Sequence, residues 1–287
     1  MSELDFYLAA ATRFSSGEVI RSTARPINLA ADVPANPDGH TQTKFVGASF
    51  HSAYTEAAKF VSQAEQWIAK HRATPFERSG TVLDFGAGWG RITRMILTRI
   101  PPSQIYCLDV DQSMTALIQA TLPGVNALTT SASPPCMLRD SSIAVAFAFS
   151  VFSHLSEDSH RAWATEFGRI IQPGGLVHMT VLDQLFLDQI ATCQAAVLAG
   201  DKTGFAVMLA GLLPHLDKAR LSYARNEFIY AAPHGDDGPR ANESYGWAIA
   251  PRMWLESEWS KSGFELVEWI PSGILFNQAM VCLRKIR

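Results

Sequence analysis

Thr81-Val82-Leu83-Asp84-Phe85-Gly86-Ala87-Gly88-Trp89-Gly90-Arg91 is the stretch that decides how this chain folds. Thr81 to Phe85 is a short apolar run of strand type, and Arg91 to Arg99 places Ile92, Met95 and Ile96 at helical spacing. Between them the glycines let the backbone turn tightly and approach a ligand, with a helix N-terminus behind them. Gln104 to Val110 reads as the next strand, and Asp109 near its end lies 19 residues after Gly90. That is close to the spacing of about 20 at which a carboxylate reaches a ribose hydroxyl. A glycine-rich loop alone is weak evidence. Strand, loop, helix, strand and terminal carboxylate together are much stronger.

Working outward, helical and strand patterns alternate. A helix from Ser52 to His71 leads in. After the second strand come a helix over Ser113–Thr121, a buried strand over Ile143–Phe149 and a helix carrying Trp163, Phe167 and Ile170. Pro173-Gly174-Gly175 stops that helix before a strand over Leu176–Leu182. Alternation of this kind means right-handed crossovers and a mostly parallel sheet. Residues 184–244 break the rhythm with helical stretches at Gln184–Ala199 and Phe205–Ala224 and a Gly/Pro-rich loop from Pro233. A helix with Trp254 and Trp259 follows, then strands Phe264–Ile270 and Ala279–Lys285. The expected organisation is an irregular N-terminal arm or cap (1–50), a nucleotide-binding core (51–183), a helical insert (184–244) and a completing segment (245–287). The insert would be a substrate lid or an oligomerisation surface.

Composition narrows the function classes. The chain has 287 residues, 47% of them hydrophobic, and a net charge of −3. That charge gives no electrostatic reason to expect nucleic acid as a partner. The four cysteines are far apart with no C-x-x-C pair, which fits a reducing compartment. The acidic start lacks an export signal, and no apolar run is long enough to span a bilayer, so a cytoplasmic location is expected. His234, Asp236 and Asp237 are thin support for a metal, and His51 is a weak candidate for any role; no metal is expected.

A dinucleotide fingerprint would need glycine where Arg91 stands, and the P-loop pattern is absent. The D-x-G-x-G-x-G form instead resembles motif I of the class I S-adenosylmethionine-dependent methyltransferases. Leu108-Asp109-Val110-Asp111-Gln112-Ser113-Met114 is similar to that family's ribose and adenine segment. Ser150-Val151-Phe152-Ser153-His154-Leu155 is similar to the segment after its fourth strand, and Ile170 to Gly175 to the turn before its fifth. The resemblance covers about 50–182 and 245–287. It implies a Rossmann-like α/β fold with a seven-stranded, mostly parallel sheet, helices on both faces and a helical insert before the last strands.

The resemblance also implies roles. Gly86, Ala87, Gly88 and Gly90 form the cofactor loop, and Asp84 orients that loop or the cofactor's amino group. Asp109 accepts from the ribose; Val110 and Met114 border adenine. Ser131 lies in the segment that follows the third strand, here without the customary Asp, and Ser150 follows the fourth strand. Tyr54 either covers the sulfonium or carboxylate end or packs on its helix face. Ser133-Pro134-Pro135-Cys136 precedes the fourth strand, so it reads as a proline turn and not as a nucleophile motif. His154 is a candidate general base or a helix-start residue bonding locally. Tyr245, in Tyr245-Gly246-Trp247-Ala248-Ile249-Ala250-Pro251, either lines the acceptor pocket or packs the core.

The implied activity is methyl transfer from S-adenosylmethionine to a small-molecule or glycan hydroxyl, without nucleic acid or membrane partners, a homodimer being one arrangement open to it. Amine methylation or non-methyl chemistry on the same fold, and a non-catalytic cofactor-binding subunit, are the alternatives.

Overall fold

In the computed structural model, residues 2–16, 37–46, 49–232 and 245–287 are described. The N-terminal stretch, expected to be irregular, contains two helices, α1 (Glu3–Ser16) and α2 (Gly39–Val46). α1 buries Tyr7, Ala10, Ala11 and Phe14, a one-sided stripe at spacings of three and four. The prolines at 26 and 34 fall outside the described residues and say nothing about these helices. Pro37-Asp38-Gly39 is a helix start: the Asp38 carboxylate accepts from Thr41 N (3.0 Å) and Thr41 Oγ1 (2.8 Å).

Then follow α3 (Phe50–Arg72), β1 (Val82–Phe85), α4 (Arg91–Ile96), β2 (Ile105–Asp109), α5 (Gln112–Thr121), β3 (Asn126–Thr129), β4 (Ile143–Ala148), α6 (Glu157–Ile170) and β5 (Ile171–Val181). The insert holds α7 (Gln184–Leu198), α8 (Gly204–Leu212) and α9 (Leu216–Ala224). The single helix expected over Phe205–Ala224 is therefore two, separated by Leu213-Pro214-His215, where proline cannot donate to the ladder. β6 (Ile229–Ala231) and β7 (Trp247–Ile249) form a separate antiparallel pair that the sequence reading missed. Three-residue strands leave too little alternation to detect. α10 (Arg252–Lys261), β8 (Phe264–Ile270) and β9 (Ala279–Lys285) complete the chain.

Seven strands share one sheet in the order β3-β2-β1-β4-β5-β9-β8. β1 pairs in parallel with both β2 and β4, and β8 pairs antiparallel with β9. The order reverses between β1 and β4, and in open α/β sheets ligands bind outside the carboxyl ends of the strands at such a point.

The described chain divides into two units. One comprises Met1–Thr130, Met137–Phe149 and Ile170–His178. In it α3 is the apolar spine: Phe60 meets Phe147 and Phe149 edge-on at ring distances of 6.1 and 4.9 Å, and Trp67 stacks on His178 at 6.0 Å. The other comprises Ser131–Cys136, Ser150–Arg169 and Met179–Arg287. Its insert core gathers Leu182, Phe186, Leu187, Ile190, Leu209, Ile229 and Ile249. Trp259 packs on Phe152, Phe167 and Phe264 and donates its Nε1–H to His160 Nε2 at 3.0 Å. Of the four thiols, Cys107, Cys136 and Cys282 are buried and Cys193, on α7, is partly exposed.

His160 and His178 are wholly buried, and both are pushed down to about 3, chiefly by burial and secondarily by nearby positive groups. Both ring nitrogens of His178 lack a hydrogen-bond partner, so the ring behaves as an apolar plate between Trp67 and Phe147. Below pH ~6.5 the unfolded chain protonates these rings while the folded chain does not, so each costs about 1.4 kcal/mol per pH unit on acidification towards pH ~3. Asp84, raised to about 6, acts the other way between its ordinary value and pH 6. Melting temperatures should therefore fall from pH 7 to pH 5, and because Asp84 offsets part of the fall, His178→Phe should flatten it by about three-quarters. An unchanged slope in the variant would contradict the burial argument.

Candidate active site

The glycine loop is held from the neighbouring strand. Gly86 N and Ala87 N donate to Leu108 O at 2.8 and 3.1 Å, and Gly88 N donates to Asp109 Oδ2 at 2.7 Å. The other oxygen of Asp109 accepts from Asp111 N at 2.9 Å. Asp109, read from sequence as a ribose acceptor, thus also pins the loop. Asp111 in turn caps α5 by accepting from Ser113 N.

Gly88 and Gly90 need glycine for different reasons. Both have positive φ, 52° and 84°. A Cβ on Gly90 would press on Leu122 Cδ1 (3.1 Å) and Ile118 Cγ1 (3.3 Å), so this glycine lets α4 start against the end of α5. A Cβ on Gly88 would meet nothing within 4 Å, leaving room for a ligand to lie on the backbone.

Asp84 is buried beneath the loop and accepts from Thr93 Oγ1 on α4 at 2.5 Å. Burial raises its pKa to about 6 against the lowering effect of Thr93. Arg91, noted in the sequence only as the residue that breaks the dinucleotide pattern, is a buried guanidinium. It donates to Glu56 and to Ala53 O (3.3 Å) and lies 4.8 Å over the Phe149 ring. Met114 is buried, and Val110 is partly exposed. Tyr54 is fully buried between Phe14, stacked at 5.5 Å, and Trp89, edge-on at 5.4 Å. Its ring is part of the packing.

In the second unit, the segment after β4 and the segment after the insert zip together. Gly246 N donates to His154 O at 2.7 Å and Ala248 N to Ser153 O at 2.9 Å; Leu155 and Tyr245 form an antiparallel bridge. His154 and Tyr245, 91 positions apart in sequence, are thereby brought together, with rings stacked at 4.7 Å and 14°. His154 Nδ1 lies 2.7 Å from Gly246 O. A carbonyl oxygen only accepts, so Nδ1 carries the proton and Nε2 is the acceptor nitrogen of the neutral ring. Trp247 tilts against His154 at 5.2 Å and stacks on Phe186 of α7 at 4.9 Å, linking the insert to the histidine through aromatic rings.

Ser150 follows β4 with a positive φ of 58°. Its N–H donates to Thr180 Oγ1 at 2.7 Å, and its Oγ accepts from Gln278 Nε2 at 2.8 Å. Neither Thr180 nor Gln278 was singled out by sequence, since no motif marks them. Ser131 is exposed in a local turn to Ser133 O. The Ser133-Pro134-Pro135-Cys136 turn is tied to α6: Trp163 Nε1 donates to Ala132 O (2.9 Å) and Cys136 N to Glu166 Oε1 (2.8 Å). Its thiol is buried. His51 lies exposed on α3, and His234, Asp236 and Asp237 lie outside the described residues. Among the described residues, no group of three or more His, Cys, Asp or Glu could hold a metal ion, and no helix is long and apolar enough to cross a membrane.

Residues 82–175, the strands and loop just described, match a family described as "Methyltransferase domain". This third of the chain is similar to methyltransferase domains. Solved structures share its fold. A Leishmania major S-adenosylmethionine-dependent methyltransferase aligns with a TM-score of 0.52 at 14% identity, over 96% of this chain and 82% of that one. CalS10, an amino pentose methyltransferase from Micromonospora echinaspora, aligns with a TM-score of 0.50 at 15% identity, over 86% and 95%. A Clostridium acetobutylicum methyltransferase gives 0.52 at 10% identity, over 79% and 91%. No curated protein matches the sequence. The matched stretch ends within β5, so the insert and the elements after it lie outside the family match.

Gly88→Ala should cost about 1–2 kcal/mol for its left-handed φ and weaken S-adenosylhomocysteine binding at least tenfold. Gly90→Ala should lose a further ~1–3 kcal/mol from overpacking. Melting curves and titration calorimetry separate the two, and equal binding by Gly88→Ala and wild type would move the ligand off the loop. Asp109→Asn, which keeps one accepting oxygen for a backbone N–H, should stay folded yet bind S-adenosylhomocysteine at least tenfold more weakly.

Proposed function

We propose that this chain methylates a hydroxyl of a small molecule or glycan, using S-adenosylmethionine. The observation that carries the hydroxyl reading is the His154 tautomer, in which Nδ1–H is spent on Gly246 O and Nε2 is the accepting nitrogen. An amine acceptor needs no such base, whereas a neutral hydroxyl gains from losing its proton as the new bond forms.

The loop fits the cofactor. Open space over Gly88, a left-handed turn and the Asp109 carboxylate beside it suit a nucleoside with vicinal hydroxyls. Asp109 would accept from the ribose; Val110 and Met114 would border adenine; Gly86, Ala87 and Gly90 would shape the loop that Asp84 supports. Ser131 stays in the proposed cofactor set on the family pattern alone; Tyr54, expected there as one of two readings, packs between Phe14 and Trp89, and Ser150 is assigned to the acceptor side below. When bound, S-adenosylmethionine supplies an electrophilic methyl on a sulfonium. His154 Nε2 takes the acceptor's hydroxyl proton, becoming imidazolium, and Gly246 O holds the ring's orientation throughout. Tyr245, parallel to that ring, restricts its rotation and lines the acceptor space. The insert excludes water there, its α7 reaching the histidine through Phe186 and Trp247. Holding acceptor and methyl in line contributes the larger share of the rate, up to ~7–11 kcal/mol in favourable cases.

His154→Ala should leave S-adenosylhomocysteine affinity within a few-fold and cut turnover of a hydroxyl acceptor by ~10²–10⁴. Tyr245→Phe, which keeps the stacked ring, should also retain cofactor affinity. The assay follows S-adenosylhomocysteine formation against sugars, phenols and amines. Full activity of His154→Ala would remove the base and favour an amine acceptor.

A further inference from the structure

Gln278 belongs to no motif and lies just before β9, outside the family match. Its Nε2 donates to Ser150 Oγ at 2.8 Å, while its own Oε1 is buried with no hydrogen-bond partner. A stranded amide oxygen destabilises a fold and needs a reason to persist. Ser150 supplies one. Its Oγ also lies 3.4 Å from Ser153 Oγ, and Ser153 is fully buried. The Gln278 amide N–H occupies a lone pair of Ser150 Oγ, so the Ser150 proton faces away from the amide, and the 3.4 Å contact with Ser153 Oγ, which either hydroxyl could donate, is too long to hold that proton. Its hydroxyl proton is then left to point outward as a donor. The residue itself is fixed, with φ at 58° and its N–H anchored on Thr180 Oγ1, and it is partly exposed.

We infer that Gln278 is a positioning residue that turns the Ser150 hydroxyl into an outward donor, selecting acceptors that carry a hydrogen-bond-accepting oxygen beside the hydroxyl to be methylated. The inference rests on the hydroxyl-transfer reading above and deepens it. Ser150 and His154 lie on one short segment after β4, so a donor and a proton acceptor are displayed together. One offers a proton to a ligand oxygen; the other takes a proton from a ligand hydroxyl. Two neighbouring oxygens on one molecule, as in a catechol or a sugar diol, satisfy both.

The test uses the full chain as wild type, Gln278→Met, Gln278→Glu, Ser150→Ala and the Gln278→Met/Ser150→Ala double variant. Methyl transfer from S-adenosylmethionine is measured to two matched pairs, catechol against phenol and methyl glucoside against cyclohexanol, alongside melting temperatures. Wild type should prefer the two-oxygen member of at least one pair. Gln278→Met removes the stranded oxygen together with the donor, so its melting temperature should be equal to or above wild type while the preference drops roughly three- to tenfold, chiefly through KM. Ser150→Ala should lose the preference by a similar factor, and the double variant no more than either. Gln278→Glu keeps the shape, but its carboxylate only accepts, drawing the Ser150 proton inward; it should show the same loss. A lower melting temperature with intact preference in both Gln278 variants would make the residue merely structural and overturn the inference. Turnover of all four probes without preference in wild type would overturn it too. No turnover of any probe by a wild type that does methylate amines would instead overturn the hydroxyl reading beneath it.

Discussion

A single carboxylate does much to define the first unit. Asp109 ends β2, and its two oxygens hold Gly88 N and Asp111 N, one on the loop and one at the start of α5. Backbone N–H groups bonded to a carboxylate make charge-assisted bonds, stronger than neutral ones. The glycine loop is thus tied to the strand beside its own, and its shape does not wait for a ligand to arrive. Asp84 does the corresponding work from below through Thr93, at the cost of burying a carboxyl group. The loop's ligand-facing surface is therefore backbone, and its underside is a set of side-chain ties.

The second unit reaches a comparable order by other means. A short antiparallel pairing of 153–155 with 245–248 holds His154, and the histidine ring closes it by donating to Gly246 O. The same carbonyl that fixes the ring's orientation fixes its tautomer. Stacking by Tyr245 and the Trp247–Phe186 contact then connect this pairing to the insert core.

The central alternation was legible because its signals are local. A fully buried strand such as Ile143–Ala148 reads as an apolar run, and the glycine loop announces its turn chemistry within seven residues. The Leu213-Pro214-His215 break was marked by a proline, yet the apolar run around it suggested one helix. β6 and β7 escaped because strands of three residues have no period to detect. The site divided along the same line. Asp109 and the glycines follow from spacing, but the partner that sets the His154 tautomer is a backbone carbonyl 92 residues away, and backbone carbonyls leave no trace in side-chain identity. Thr180 and Gln278 matter only through Ser150, and a tertiary contact of that kind carries no sequence spacing at all. Tyr54 illustrates the reverse: helical periodicity alone could not tell a residue facing a ligand from one packed between Phe14 and Trp89.

The distribution of the thiols gives the molecule a reporter of its own. Cys107, Cys136 and Cys282 are shut inside the structure, and burial holds the thiols of Cys107 and Cys282 protonated far above the usual range. Cys193 alone of the four is open to solvent in part, and it sits on α7 against the insert core. Alkylating reagents need a thiolate they can reach. A maleimide dye should therefore label the native protein at one place, on the helix whose Phe186 leads through Trp247 to the histidine. Fluorescence from that position would follow the insert during an encounter with acceptor without any cysteine having to be added or removed.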